Sequence, residues 1–452
     1  MSSALELHSI SKAKSTEPGL KDDLIASPPL PQLEGNATPL QLVSSRRQSD
    51  LRSREHIFRE RIQLFALYWC MFTAGWNDGS AGPLIPRIQS VYHVGFAVVS
   101  LIFVFACVGF IGGAIINVPL TDRLGFGKMI TLGNETPISP TPANCFSRLT
   151  VPSDRLHDAV TSTFIPRLRV IIPNGYIASL KHNPEIKMGL LHGAYGAGAL
   201  ASPLVATQFA QLPHWSFHYL ASLGIALINA AVIFFVFRLK TQDECLATVG
   251  EAAGETGTSE HSTFRQIMAL PTVHLLAFFI LVYVGVEVTI GGWIVTFMRD
   301  VRGGGASSGY VSAGFFGGLM TGRIALLWLN QKIGERRVIY VYSLLAIAFE
   351  LVVWLVPSLV GDAVAVSIVG VLLGPIYPLV MNHTGRVLPR WLLTGAIGWI
   401  AGFGQAGSAV FPFITGAIAS KTGIKSLQPL LVAMMAFMLV LWWIVPGHRK
   451  LE

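Results

Sequence analysis

Two acidic residues stand inside long apolar runs: Asp78 in G-W-N-D-G and Glu287 in V-G-V-E-V-T. An ionisable side chain is costly in hydrocarbon, so it normally faces a cavity and marks the path of an ion or solute. Such a carboxyl group suits reversible protonation; the plainer reading is a neutral acid hydrogen-bonded between helices. Trp76, Asn77 and Trp293 flank the two acids. Aromatic faces with amides and carboxyls are the combination that grips a sugar, the ring on the apolar face and the hydroxyls on the polar groups. His192, Tyr195, Tyr377, Asn382 and Gln405 are further polar groups within apolar runs. Taken singly, each reads equally as an inter-helix hydrogen bond; together they describe a polar cavity. No histidine–carboxylate set has metal-binding or acyl-transfer spacing, so the reading includes no catalytic residue, metal or cofactor.

The elements that would position these residues are membrane helices. Of 452 residues, 52% are hydrophobic and 13% charged, a composition for a polytopic membrane protein with the lipid bilayer as its surroundings. The net charge of +8 sits in the N-terminal stretch and the connecting loops, which argues against a nucleic-acid partner. Cys70, Cys107, Cys145 and Cys245 are scattered, with no disulfide framework. A span needs about 20 mostly apolar residues. Ten runs qualify, near 61–85, 97–121, 186–211, 216–238, 271–298, 307–329, 337–357, 363–385, 393–419 and 427–446. Threaded from a cytoplasmic N-terminus, they leave Arg123, Lys128, Lys181, Lys187, Arg238, Lys240, Lys332, Arg336, Arg337, Arg386, Arg390, Arg449 and Lys450 inside. Outside remain Arg87, Arg299, Arg302, Lys421 and Lys425. This is the positive-inside asymmetry. His383 and Arg386 fall at a cytoplasmic end and read as interfacial.

The chain also repeats. N-V-P-L-T-D-R-L-G-F-G-K (Asn117 to Lys128) returns in worn form as Q-K-I-G-E-R-R (Gln331 to Arg337), Asp122 to Gln331 and Gly125 to Gly334 being separated by the same 209 residues. That offset also carries Asp78 onto Glu287 and aligns Gly193 to Pro203 with Gly402 to Pro412. Two parallel halves follow.

D-R-L-G-F-G-K resembles the loop signature between the second and third helices of the major facilitator superfamily. More narrowly, G-W-N-D-G-S-A-G-P-L-I-P-R-I, M-G-L-L-H-G-A-Y-G, Y-V-G-V-E-V-T-I-G-G-W and L-T-G-A-I-G-W-I-A-G-F-G-Q-A-G-S resemble a fungal group related to fucose-permease-type sugar transporters, the "bypass of stop codon" type. The resemblance implies an all-α fold of two pseudo-symmetric helical bundles, twelve spans, and proton coupling through an acid of the first helix, which maps onto Asp78. It also implies that Asp122, Arg123, Gly125 and Lys128 gate the inward side, with Gly334 and Arg336 of the second copy as a weaker latch.

One stretch departs from that pattern. Between the signature loop and Gly193 the family has two helices, yet residues 134–173 carry seven charged residues and six prolines, too polar and too broken to span. The partner acid expected in the fourth helix falls in this stretch. A displaced reading frame or mis-called intron is one explanation, an extended cytoplasmic loop the other.

The expected organisation is a disordered cytoplasmic tail at 1–58, an N-terminal bundle at 59–240 with the anomalous insert at 134–173, a cytoplasmic central loop at 241–264, a C-terminal bundle at 265–447 and a cytoplasmic end at 448–452. The expected function is a secondary active transporter, a symporter that moves a small polar solute, of which a sugar is one candidate, with a proton across the plasma membrane by alternating access. Efflux of a drug-like or specialised metabolite is the alternative; a product inactive for want of two helices is another.

Overall fold

The computed structural model describes residues 39–108, 182–251 and 265–447, with short stretches at 173–174, 176–177 and residue 180, and side chains from Arg54 onward. Two units are distinguished, Met1–Ser53 and Arg54–Glu452; all contacts below lie within the second. The described residues are almost all helical, with no strand among them. In chain order the helices are α1 (Pro39–Tyr92), α2 (Phe96–Val108), α3 (Pro184–Gln211), α4 (His218–Phe237), α5 (Gln242–Thr248), α6 (Pro271–Asp300), α7 (Tyr310–Ala325), α8 (Leu327–Ile333), α9 (Glu335–Leu355), α10 (Leu359–Leu373), α11 (Ile376–Val387), α12 (Arg390–Thr422) and α13 (Leu427–Ile444).

Six of the ten expected spans are helices, or helix pairs, long and apolar enough to cross a membrane: Trp215–Phe237, Pro271–Asp300, Glu335–Leu355, Leu359–Val387, Gly395–Thr422 and Ile424–Ile444. The run expected at 307–329 is not one straight helix. It is bent by 56° between Ala306–Ala325 and Leu327–Ile333. The runs at 61–85 and 186–211 are helical, in α1 and α3, but their polar residues keep them out of that set. The run at 97–121 is described only as far as Val108. Residues 109–172, which include the signature loop and nearly all of the anomalous insert, lie outside the described residues. So do 1–38, most of the central loop and 448–452.

Two boundaries differ from expectation. Helix α1 begins at Pro39, inside the segment read as a tail. The central loop opens with α5, started by a capping box in which Thr241 and Glu244 exchange side-chain-to-backbone bonds. Cys245, Leu246 and Val249 bury against Leu67, Cys70, Ile233 and Phe237, and Gln63 donates to Thr248 Oγ1 at 3.1 Å. Burial pushes the Cys245 thiol up to about 11, so it remains an inert thiol at neutral pH.

Glycines let the helices approach closely. A Cβ at Gly198 would lie 2.0 Å from the Phe72 carbonyl oxygen, and one at Gly407 would lie 2.0 Å from that of Leu281. Both glycines and both carbonyls are related by the 209-residue offset, so the α1–α3 crossing is repeated as the α6–α12 crossing. Gly318, Gly322, Gly370 and Gly374 interlock α7 and α10 in the same manner, each facing backbone of the other helix. These contacts are the packing that small residues permit where helices lack a hydrophobic drive to associate.

The halves meet along α3 and α7 and, most tightly, at the ends that the charge asymmetry places outside. A Cβ at Gly82 of α1 would lie 2.2 Å from the Gly291 carbonyl of α6. Gly309 abuts Thr207, Gly416 abuts Ser100, and the Gln208 amide donates to the Tyr310 hydroxyl. Leu84, Ile85, Val99, Phe103 and Trp215 join the apolar core of the second half at this level.

Candidate functional site

Helices α1 and α3 bring Asp78 and Tyr195 together: the Tyr195 hydroxyl donates to Asp78 Oδ2 at 2.8 Å. Facing them across the α3–α7 contact, Arg323 of α7 places Nη2 3.5 Å from Glu287 Oε1 of α6, with both side chains largely buried. Tyr283, one turn before Glu287 on α6, interacts with both members of that ion pair, and its hydroxyl donates to the Leu373 carbonyl at 3.0 Å. Arg323 Nε reaches the Gly374 carbonyl at 3.3 Å. Thus α7 is tied to the α10–α11 break just before its own bend.

The two acids are joined through their partners. Arg323 lies within electrostatic reach of Tyr195, the partner of Asp78, as well as of Glu287. Tyr377 of α11 closes one side, its ring 6.5 Å from His192 and 6.4 Å from Tyr283. The result is a half-buried polar cluster of Asp78, His192, Tyr195, Tyr283, Glu287, Arg323 and Tyr377, drawn from both halves. It contains one guanidinium and two carboxyl groups. Such a set can bind a proton, or exchange a carboxylate partner for a solute oxygen, because Arg323 offers several donors and the phenols can donate or accept.

The other residues singled out from sequence lie elsewhere. Trp76 is buried in the first half, stacked on His218 at 5.9 Å, its Nε1 donating to Ser222 Oγ at 2.9 Å. Trp293 is buried against Phe96 and Phe103 and donates to the Pro412 carbonyl at 3.0 Å. Both indoles hold helices together here. Asn77 and Asn382 are exposed, and Gln405 is half-buried in α12.

Among the gating residues, Gly334 sits at φ +91°, where a side chain would be strained, and breaks α8 from α9. The Arg336 guanidinium donates to the Val445 carbonyl at 2.7 Å and its backbone carbonyl accepts from Trp442 Nε1 at 3.0 Å, tying α9 to the end of α13. Arg386 pairs with Glu335 at 2.9 Å and His383 Nε2 meets the Pro446 carbonyl at 3.0 Å. Asp122, Arg123, Gly125 and Lys128 lie outside the described residues.

Sequence reasoning passed over Arg323 and Tyr283. The signal for Arg323 was present: it is a charged residue inside the apolar run 307–329, and the argument that picked out Asp78 applies to it unchanged. It also passed over the first half's buried network, in which His218 Nε2 lies 2.9 Å from Ser80 Oγ and Ser80 lies 2.5 Å from Ser202. Among the described residues, no group of three or more histidine, cysteine or acidic side chains has the geometry to hold a metal ion.

Comparison with known proteins agrees with this architecture. Residues 185–390 match the family model of the Major Facilitator Superfamily. The chain is 24% identical over 433 residues to bypass of stop codon protein 6 of Saccharomyces cerevisiae, covering 86% of this chain and 84% of that protein. It is 21% identical over 382 residues to the 4-hydroxybenzoate transporter PcaK of Pseudomonas aeruginosa, covering 76% and 83%. Its fold is similar to that of a D-xylose–proton symporter, with a TM-score of 0.69 at 11% identity over 87% of this chain and 100% of that one. A multi-pass helical chain with two acids and an arginine where its halves meet, whose residues 185–390 match the model of that superfamily and whose fold is similar to that of solved transporters, is a transporter rather than an enzyme.

Proposed function

We propose that this protein is a proton-coupled carrier of a small polar solute, working by alternating access in the plasma membrane. The observation that carries the reading is the cluster of Asp78, Tyr195, Glu287 and Arg323 between the two halves. Residues 59–240 and 265–447 act as the two moving bundles, with 241–264 as their link. Asp78 and Glu287 are the proton acceptors. When Glu287 takes a proton it no longer holds Arg323 as a counter-ion, and the guanidinium is released to bind solute oxygen. His192, Tyr195, Tyr283 and Tyr377 supply the remaining polar contacts, with Asn77, Asn382 and Gln405 as groups brought in when the halves move. The close contacts at Gly82, Gly309 and Gly416 support a state sealed on the outer side. Arg336 and Gly334 belong to the inward-side gate.

A D-xylose–proton symporter among the similar structures favours a sugar-like solute. A second reading is favoured by Arg323 lying among Tyr195, Tyr283, Tyr377 and His192. A cation inside an aromatic wall suits an aromatic carboxylate, and one relative is named a 4-hydroxybenzoate transporter. Uptake into proteoliposomes under an imposed proton gradient separates the two, with D-xylose, L-fucose and 4-hydroxybenzoate as probes. The coupled reading predicts that Glu287→Gln abolishes gradient-driven accumulation yet keeps exchange of solute at equal pH. Accumulation by Glu287→Gln and Asp78→Asn at the wild-type level would overturn the assignment of both acids.

A further inference from the structure

The second half buries another group of charges at its outer end, away from the cluster described above. Arg302, just beyond α6, donates from Nε to Asp362 Oδ2 at 2.6 Å. Its Nη2 donates to the carbonyls of Val353 and Trp354 in the last turn of α9. Both positions are electrostatically apt. The last carbonyls of a helix have no intrahelical donors and attract a cation, while an acid in the first turn of α10 faces free amides. One side chain therefore fastens the ends of α6, α9 and α10.

Glu350 lies one turn before Val353 on α9. It is 0% exposed, and among the described residues neither of its carboxyl oxygens has a hydrogen-bond partner. The charge acting on it is that of Asp362, a like charge, whose Oδ1 is also buried without a partner. The Arg302 guanidinium thus has one carboxyl partner, Asp362, while Glu350, on the helix whose last carbonyls Arg302 caps, has none. Among the described residues, no neighbouring element brings a second cation to it. Helix α10 contributes Asp362 and no other ionisable group, and α13 has none between Leu427 and Ile444. His383 and Arg386 of α11 meet the opposite end of α9, at Glu335. Arg299 and Asp300, at the end of α6, are exposed. An ionised carboxylate that is buried, unpartnered and beside a like charge is strongly disfavoured, whereas the neutral acid is tolerated.

We propose that Glu350 is a second proton-binding site, on the outer side of the C-terminal half. It carries its proton while Arg302 is engaged by Asp362, and gives it up only when Arg302 is shared between the two acids. Proton occupancy of Glu350 then decides whether the fastening of α6, α9 and α10 belongs to Asp362 alone. This site is separate from Asp78 and Glu287 and does not depend on which solute the protein carries.

Infrared spectroscopy of the full-length protein tests this directly, since protonated and ionised carboxyls absorb in separate regions. With carbon-13 in the glutamate carboxyls, wild-type protein at neutral pH should show an isotope-shifted carboxylic-acid band. Glu350→Gln should lose that component. So should Glu350→Asp, which keeps an acid but carries no labelled carboxyl at this position, and which serves if the glutamine variant does not accumulate. Asp362→Asn should lose it too, because Arg302 is then free to take Glu350 as its ion-pair partner; a merely structural Glu350 would not respond. A wild-type spectrum without a glutamic-acid band overturns the proposal, as does a band unchanged in both Glu350 variants.

Discussion

Arg323 is the residue on which the candidate site turns. It is the counter-ion of Glu287 at 3.5 Å, it interacts with Tyr195 and Tyr283, and it bonds to the Gly374 carbonyl. Removing one member of a buried ion pair leaves the other charge uncompensated, at a cost of about 3–5 kcal/mol. Arg323→Met is therefore expected to lower the thermal stability of the purified protein markedly. Combining it with Glu287→Gln should recover much of the loss, a coupling that a double-mutant cycle measures. Additive losses in the double variant would mean that the two side chains do not act as a pair. Asp78 and Glu287 were legible in the sequence because a lone acid stands out in an apolar run. Arg323 was equally legible in principle but was absorbed into a predicted span. The fate of Trp76 and Trp293 was not legible: an indole beside an acid packs against whichever neighbour the helix crossing supplies, and here those are His218, Ser222 and the Pro412 carbonyl.

At the scale of elements, helix existence followed from apolar runs, while helix shape did not. The run at 307–329 reads as one span, yet it bends by 56° after Ala325, where Arg323 is pulled toward Glu287 and the α10–α11 break. Hydropathy averages over such a bend because it counts residues and not directions. The outer seal is likewise written in single glycines that composition alone describes only as a small-residue stripe. Gly82 faces the Gly291 carbonyl so closely that a Cβ would sit 2.2 Å from it. Gly82→Val is thus expected to force α1 and α6 apart and to weaken the outward-sealed state. Deuterium uptake by the backbone around Ser100, Thr207 and Gly309 should rise in this variant while that of the α7–α10 contact stays unchanged. Unaltered exchange at the outer ends would show that the seal does not depend on this contact.

The 209-residue repeat has a geometric counterpart among the described residues: Gly198 meets Phe72 as Gly407 meets Leu281, and all four positions obey the same offset. Parallel repeats have a consequence that inverted repeats do not share. Equivalent positions must lie on the same side of the membrane, so Ser90, in the last turn of α1, and Arg299, at the end of α6 and 209 residues later, must both face outward. The positive-inside rule independently assigns Lys240 and Lys332 to the cytoplasm. All four residues are exposed and sit at or beside helix ends. In a background without native cysteines, Ser90→Cys and Arg299→Cys should react with a membrane-impermeant maleimide applied to intact cells. Lys240→Cys and Lys332→Cys should react only after the membrane is opened. Labelling of Ser90→Cys and Arg299→Cys from opposite sides would break the parallel arrangement and, with it, the placing of Asp78 and Glu287 as equivalent residues of one cavity. Labelling of all four from the expected sides would leave the even number of crossings between Ser90 and Arg299 as a fixed requirement. Any account of residues 109–172 must then return the chain to the face from which α3 begins.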